Sequence, residues 1–225
     1  MHLLLFVPLF LIAGLSKPVS APPVKKQLFN SKNLTGWYVF LEKRQKNEDP
    51  EQVFTAKNGL LHVSGKEFGY LCTEKAYRNY HLTVEFKWGT HRYPPRENAK
   101  RDNGIMYHIP IDTEDRVWPV GIECQIQEGD VGDFWLVGGT TIEVDGKRNE
   151  PGPWVRMAKK RDAEKPTGQW NRVEVISKDG VCTHIVNGVI VATGTNPSVR
   201  EGKILLQTEG AEAYFRKVEL EPLTP

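Results

Sequence analysis

The chain has 225 residues with 30 Lys+Arg against 28 Asp+Glu, a formal charge of +2, which leaves neither a polybasic footprint for nucleic acid nor an acidic tail. Hydrophobic residues at 39%, charged at 26% and aromatic at 10% exclude a disordered chain and suffice for a real core. The 20 Gly and 15 Pro punctuate the chain so heavily that no stretch beyond the N-terminus keeps an apolar stripe at helical spacing, which argues against a helical bundle and against βαβ units.

The apolar run from Leu3 to Leu15, followed by small residues, predicts a secretory signal peptide over residues 1–21, cut after Ser16 or Ala21, and hence a periplasmic or extracellular protein. Its apolar core is shorter than the roughly 20 residues a bilayer needs, and nothing later in the chain spans a membrane. A Pro-rich spacer leads into one domain over residues 24–225. Strands are predicted at 52–55, 60–63, 70–73, 81–88, 104–109 and 120–127, at 203–207 and at 213–220. Asp179-Gly180 and Asn187-Gly188 supply two φ > 0 positions each between β-branched runs, so residues 171–192 read as a three-stranded meander. About a dozen short strands at this spacing predict an all-β fold, a jelly-roll β-sandwich of two antiparallel sheets. Residues 42–51, 89–103 and 129–167 resist strand assignment and read as long loops clustered at one rim. Cys72, Cys124 and Cys182 each lie in a strand-like run without zinc-site spacing and are expected to be buried free thiols, the alternative in an exported protein being one disulfide with one thiol left over.

In Gly121-Ile-Glu-Cys-Gln-Ile-Gln127, strand alternation puts Ile122, Cys124 and Ile126 on an apolar face and Glu123, Gln125 and Gln127 on the other. The loop that follows carries Asp133, Phe134 and Trp135. Indoles beside carboxylates and amides suit a sugar, whose apolar faces stack on rings while its hydroxyls take hydrogen bonds. On the strand from Arg101 to His108, alternation sets Asp102, Met106 and His108 on one side and Asn103, Ile105 and Tyr107 on the other. His108 is a candidate general base because its ordinary pKa lies near working pH. Sandwich glycosidases of the laminarinase type carry Glu-x-Asp-x-x-Glu on such a strand. Here the spacing reads Glu123-Cys-Gln125-Ile-Gln127-Glu128, and an amide at 125 cannot ionise, so the usual acid and nucleophile pair is not assembled.

The segments LFNSKNLTGWYV, HLTVEFKW, RDNGIMYH, VWPVGIECQIQEGDVGDFW, GQWNRVEVI, VNGVIV and LLQTEGAEAYFRKVEL resemble, in order, the 3-keto-disaccharide hydrolase domain family, from about Gln27 to Leu220. The resemblance implies a concanavalin A-like lectin/glucanase sandwich and an exported bacterial protein of sugar metabolism. The chain departs from many members at Asp102-Asn103-Gly104 and at Gln207-Thr208-Glu209-Gly210. The chemistry implied is elimination: a ketone at C3 of a glycoside acidifies the C2 proton, one base forms the enolate, and the C1 substituent is expelled. Glu123 and His108 are the acid/base candidates. Arg101, Asp102, Tyr107, Gln125, Gln127, Asp133, Trp135, Gln207 and Glu209 are candidates for binding the 3-keto-glycoside. A divalent cation could assist, held by Asp102, Glu123, Asp133 and His108, although no ligand spacing demands one. A non-catalytic carbohydrate-binding module needs only Trp135, Tyr107, Gln125 and neighbouring polar groups, and is the competing expectation.

Overall fold

The computed structural model describes residues 24–224, so the signal peptide expected at 1–21 lies outside the described residues. In chain order the first strands are β1 (Lys26–Gln27), β2 (Trp37–Leu41), β3 (Phe54–Lys57), β4 (Leu60–Val63), β5 (Gly69–Thr73) and β6 (Tyr80–Arg92). Then come β7 (Gly104–Ile109), β8 (Gly121–Gln125), β9 (Phe134–Val137), β10 (Glu143–Val144), β11 (Lys147–Arg148) and β12 (Trp154–Met157). The last are β13 (Asn171–Lys178), β14 (Val181–Val186), β15 (Val189–Thr195), β16 (Lys203–Thr208) and β17 (Ala211–Pro222). Among the described residues there is no helix.

The strands form two antiparallel sheets. One runs β11-β10-β15-β14-β13-β6-β17-β4-β3, with β1 also on β17; the other runs β12-β9-β8-β7-β16-β5-β2. Alternate residues of both sheets face each other and bury one core, with Leu82, Val84, Phe86 and Phe215 from the larger sheet against Ile105, Ile122, Cys124 and Leu206 from the smaller. The expected all-β jelly-roll sandwich is therefore present. The three-stranded meander is present too: Asp179 and Gly180 have φ of 49° and 80°, Asn187 and Gly188 of 48° and 84°, the left-handed pairs that close two-residue hairpins. All three cysteines are buried and free.

Two departures matter for the site. The stretch 129–167 is not one long loop but holds β9 to β12. Phe-Trp-Leu-Val at β9 is a short apolar run without alternation, because it packs on the core with one face and borders a cavity with the other. β2 escapes notice for the same reason, its Trp-Tyr-Val-Phe-Leu being covered on both faces. The loop expected at 89–103 begins only after Arg92, since β6 continues to that residue.

The second departure is a bulge in β7. Lys203 of β16 pairs with Ile109 and Leu205 with Met106, so the single residue Ile204 faces both Tyr107 and His108. His108 adopts φ of 56°, which turns its side chain off the alternation. Both rings consequently reach across to the larger sheet. Tyr107 bonds His184 of β14 at 2.9 Å, and His108 bonds Ser177 of β13 at 2.8 Å.

Candidate functional site

Strand register builds the site on the face of the smaller sheet turned away from the core. Arg156, Trp135, Glu123, Met106, Leu205, Cys72 and Tyr38 stand opposite one another in one row across β12, β9, β8, β7, β16, β5 and β2. Around Glu123 this face opens into a cavity of about 410 Å³. Its polar wall is Arg96, Asp102, Glu123, Gln125, Gln127 and Glu209. Its apolar wall is Trp118, Trp135, Trp154 and Val137. Gly104, between Gln125 and β16, makes the floor possible. A Cβ there would collide with the side-chain oxygens of both Glu123 and Gln207, which fold over its bare backbone.

Three carboxyls are buried here, and two of them share one guanidinium. Arg96 pairs with Asp102 and lies 3.6 Å from Glu209. Gln127 Nε2–H donates to the same Asp102 oxygen at 2.7 Å, while the other Asp102 oxygen is buried without a partner. Trp118 Nε1–H donates to Glu209 Oε1 at 2.6 Å. Burial raises all three carboxyls. Glu123 goes well above the ordinary glutamate range because it is desolvated and then because Glu209 and Asp102 are near, with only the Gln207 amide opposing. Desolvation first and the Asp102 charge second raise Glu209, against Trp118 and Arg96. Asp102 is raised by desolvation and held back by Arg96 and Gln127. The site thus combines a carboxyl that holds its proton more tightly than an ordinary glutamate, Glu123, with an interacting Asp102–Glu209 pair in which Asp102 is the better-stabilised anion.

Amide and indole groups complete the arrangement. Gln125 Oε1 accepts from Ile126 N–H at 2.9 Å, which leaves the NH₂ end of that amide as a donor to the cavity. Gln207 is buried beside Glu123, close enough for its amide to oppose the rise of that carboxyl, yet neither amide atom is in hydrogen-bond geometry with any group among the described residues. Trp118 and Trp154 meet edge to face, centroids 6.1 Å apart at 86°, and Trp135 stands beside Glu123 as its direct strand partner.

Of the residues singled out from sequence, the structure brings Glu123, Asp102, Gln125, Gln127, Trp135 and Glu209 to one cavity, with Gln207 under its floor. Four are placed elsewhere. His108, the other acid/base candidate, does not join Glu123: the bulge turns its imidazole to Ser177 and the Val199 carbonyl. Tyr107 is sealed in the inter-sheet core. Arg101 is tied to Glu128 at 2.8 Å. Asp133 is fully buried between Arg156 Nε and Lys159 N. Of the four groups that could gather round a divalent cation, Asp133 and His108 are therefore engaged away from the other two, and among the described residues no three or more His, Cys, Asp or Glu side chains have the arrangement of a metal site. Sequence reasoning missed Arg96, Trp118 and Trp154. Trp118 stands in the VWPV segment just before β8 and carried a signal as an aromatic; Arg96 lies in a Pro-rich loop with none.

By sequence, the pattern of the 3-keto-alpha-glucoside-1,2-lyase-like domain matches residues 25–221. No curated protein matches the chain by sequence. Among solved structures, a candidate glycosyl hydrolase from Parabacteroides distasonis superposes with a TM-score of 0.61 at 20% identity, covering 89% of this chain and 94% of that one. A Bacillus licheniformis beta-glucanase gives 0.56 at 11% identity, covering 92% and 100%. The carbohydrate binding module CBM66 from Bacillus subtilis gives 0.58 at 10% identity, covering 84% and 98%. At these identities the structural likeness shows a shared fold, which enzymes and binding modules both use.

Proposed function

Because the chain belongs to the 3-keto-alpha-glucoside-1,2-lyase-like domain family, a glycosyl-hydrolase-like group of carbohydrate-active domains, we propose that it cleaves 3-keto-glycosides by removal of the C2 proton and elimination at C1. The observation that carries the reading is the division of labour among three buried carboxyls in one cavity. Asp102, the anion stabilised by Arg96 and Gln127, takes the proton from C2. The electron pair forms the C1–C2 double bond as the C1–O bond breaks. Glu123, which keeps its proton, gives it to the departing oxygen. The Gln125 NH₂, fixed by the bond of its oxygen to Ile126 N–H, is a preorganised donor for the C3 oxygen as negative charge develops there. Water then adds to the enone if the product is the free keto sugar. The indoles of Trp118, Trp135 and Trp154 offer stacking faces for the sugar and its substituent.

Turnover of a 3-keto-glucoside in deuterated water tests this directly. Deuterium at C2 of the product supports the enolate; cleavage of an unoxidised glycoside at equal rate without exchange overturns it and returns the site to displacement at C1. Sugar binding with no turnover of either substrate would leave the carbohydrate-binding reading, which the three indoles alone support. Export belongs to the same proposal, resting on the apolar Leu3–Leu15 run. A mature N-terminus found by mass spectrometry beyond Ser16 or Ala21 is its expected outcome.

A further inference from the structure

The imidazole that the bulge removes from the carboxylate site is not idle in its new place. His108 Nδ1–H donates to the Val199 carbonyl at 2.9 Å, which fixes the tautomer and leaves Nε2 as the acceptor. Ser177 Oγ lies 2.8 Å from that Nε2, so its hydroxyl donates to a base already oriented by a third group. Nucleophile, base and orienting acceptor in hydrogen-bond sequence are the arrangement that activates a serine. Burial lowers the His108 pKa to about 4, so the imidazole is the free base at neutral pH.

Ser177 and His108, both almost fully buried, belong to the wall of a second cavity, of about 210 Å³, which also includes Arg78, Asn79, Asp179 and Arg200. Arg78 is paired with Glu201 at 3.8 Å. Arg200 makes no ion pair among the described residues, although its guanidinium packs on Gly180 beside the dyad. A neutral serine–histidine pair, an uncommitted cation and a small enclosed volume are what a short acyl ester requires. Its carbonyl oxygen gains negative charge on attack, and its acyl group must fit a space below the usual 300 to 1,000 Å³ (approximately) of a ligand pocket.

We propose that this cavity is a second, esterase-type site in which Ser177 is the nucleophile, His108 its general base and Arg200 the cation that meets the carbonyl oxygen, acting on small carboxylic esters. The Ser177 Oγ–carbon bond forms as the hydroxyl proton passes to His108 Nε2. The ester C–O bond then breaks, and the leaving oxygen takes the proton back. Solvent water releases the acyl group by the same route in reverse, so the serine and imidazole are regenerated without any further reactant.

The purified full chain, treated with a fluorophosphonate probe and assayed with p-nitrophenyl acetate, tests the proposal. Peptide mass spectrometry should find the phosphonate on Ser177. Ser177→Ala should abolish the adduct and lower ester turnover roughly 100-fold or more. His108→Asn, chosen because Asn tolerates positive φ, should do the same with the bulge retained. No adduct on Ser177 in the wild-type protein, or Ser177→Ala turnover equal to wild type, overturns the proposal. The wild-type adduct decides the matter even if a variant fails to fold. Keto-glycoside cleavage is read on a different substrate at a different cavity, so the failure of either activity is distinguishable from failure of the other.

Discussion

The outward faces of the two sheets both carry nearly buried glutamates, and they treat them in opposite ways. On the larger sheet, Glu212 would be raised by desolvation, but it accepts from Tyr214 OH, the His91 and Thr90 amides, and the His62 and His91 rings, and is brought down to about 2. Glu174, with Arg172 and His81, and Glu219, with Gln27, Lys217 and Lys25, are likewise lowered against desolvation. On the smaller sheet the same chemistry is left undersupplied: Asp102 and Glu209 share one guanidinium, Glu123 pairs with no cation among the described residues, and all three are raised. The larger face uses its acids to hold strands together. The smaller face leaves its acids short of partners, the kind of perturbation that marks candidate proton-transfer groups among structural ones, and the proposed function gives them that role.

The comparison breaks most sharply at the level of turnover. Glu123→Gln should lower the elimination rate about 10²- to 10⁴-fold for a sugar or alkyl leaving group, and much less for p-nitrophenol, which leaves without a proton. An equal loss for both leaving groups would remove Glu123 from the proton-donor role. On the larger sheet, Glu212→Gln should leave turnover intact and cost about 1–3 kcal/mol in denaturant unfolding, because the donors of His62, His91 and Tyr214 lose their anion.

Stability against pH sharpens the contrast through its sign. The folded-state pKa of Glu212 is depressed, so its contribution is present above the unfolded value of about 4.3 and is lost as pH falls towards about 2. The destabilisation by Glu212→Gln should shrink over that interval. Glu123 is raised on folding, so it weakens the fold increasingly as pH climbs above about 4.3 towards its folded value. Glu123→Gln should therefore gain stability relative to wild type as pH rises above about 4.3. Unfolding titrations of the two variants with the same slope would erase the distinction between the faces.

Two smaller effects probe the geometry of the reactive face. Gly104→Ala should cost about 1–3 kcal/mol by forcing Glu123 and Gln207 apart, with turnover falling more than stability does. Trp135→Ala should weaken sugar binding by about 1 kcal/mol while costing less than the ~3–5 kcal/mol of a core Trp, since the ring is only half-buried on the cavity wall. Binding calorimetry and thermal unfolding on the same sample separate these terms; a full core penalty with unchanged binding would make Trp135 a packing residue.

How much of this was legible in the sequence follows from the range of the interactions concerned. Alternation along Gly121 to Gln127 is a local property, and it placed Glu123 and Gln125 opposite Ile122, Cys124 and Ile126 without knowledge of any other strand. The Asn187-Gly188 and Asp179-Gly180 turns are equally local, because φ > 0 is decided by the residue itself. His108 shows where such reasoning ends. Its side was assigned by counting residues along β7, and the bulge created by pairing with β16 added one residue to the count. Arg96, Trp118 and Trp154 reach the cavity from a loop, a strand approach and an edge strand. Nothing in their own segments announces that convergence. The sequence by itself determined which side chains alternate and where the chain turns, since those depend on neighbours within a few residues. Only the tertiary structure decided which acids lack partners and which ring joins them, because desolvation and register depend on strands far apart in the chain.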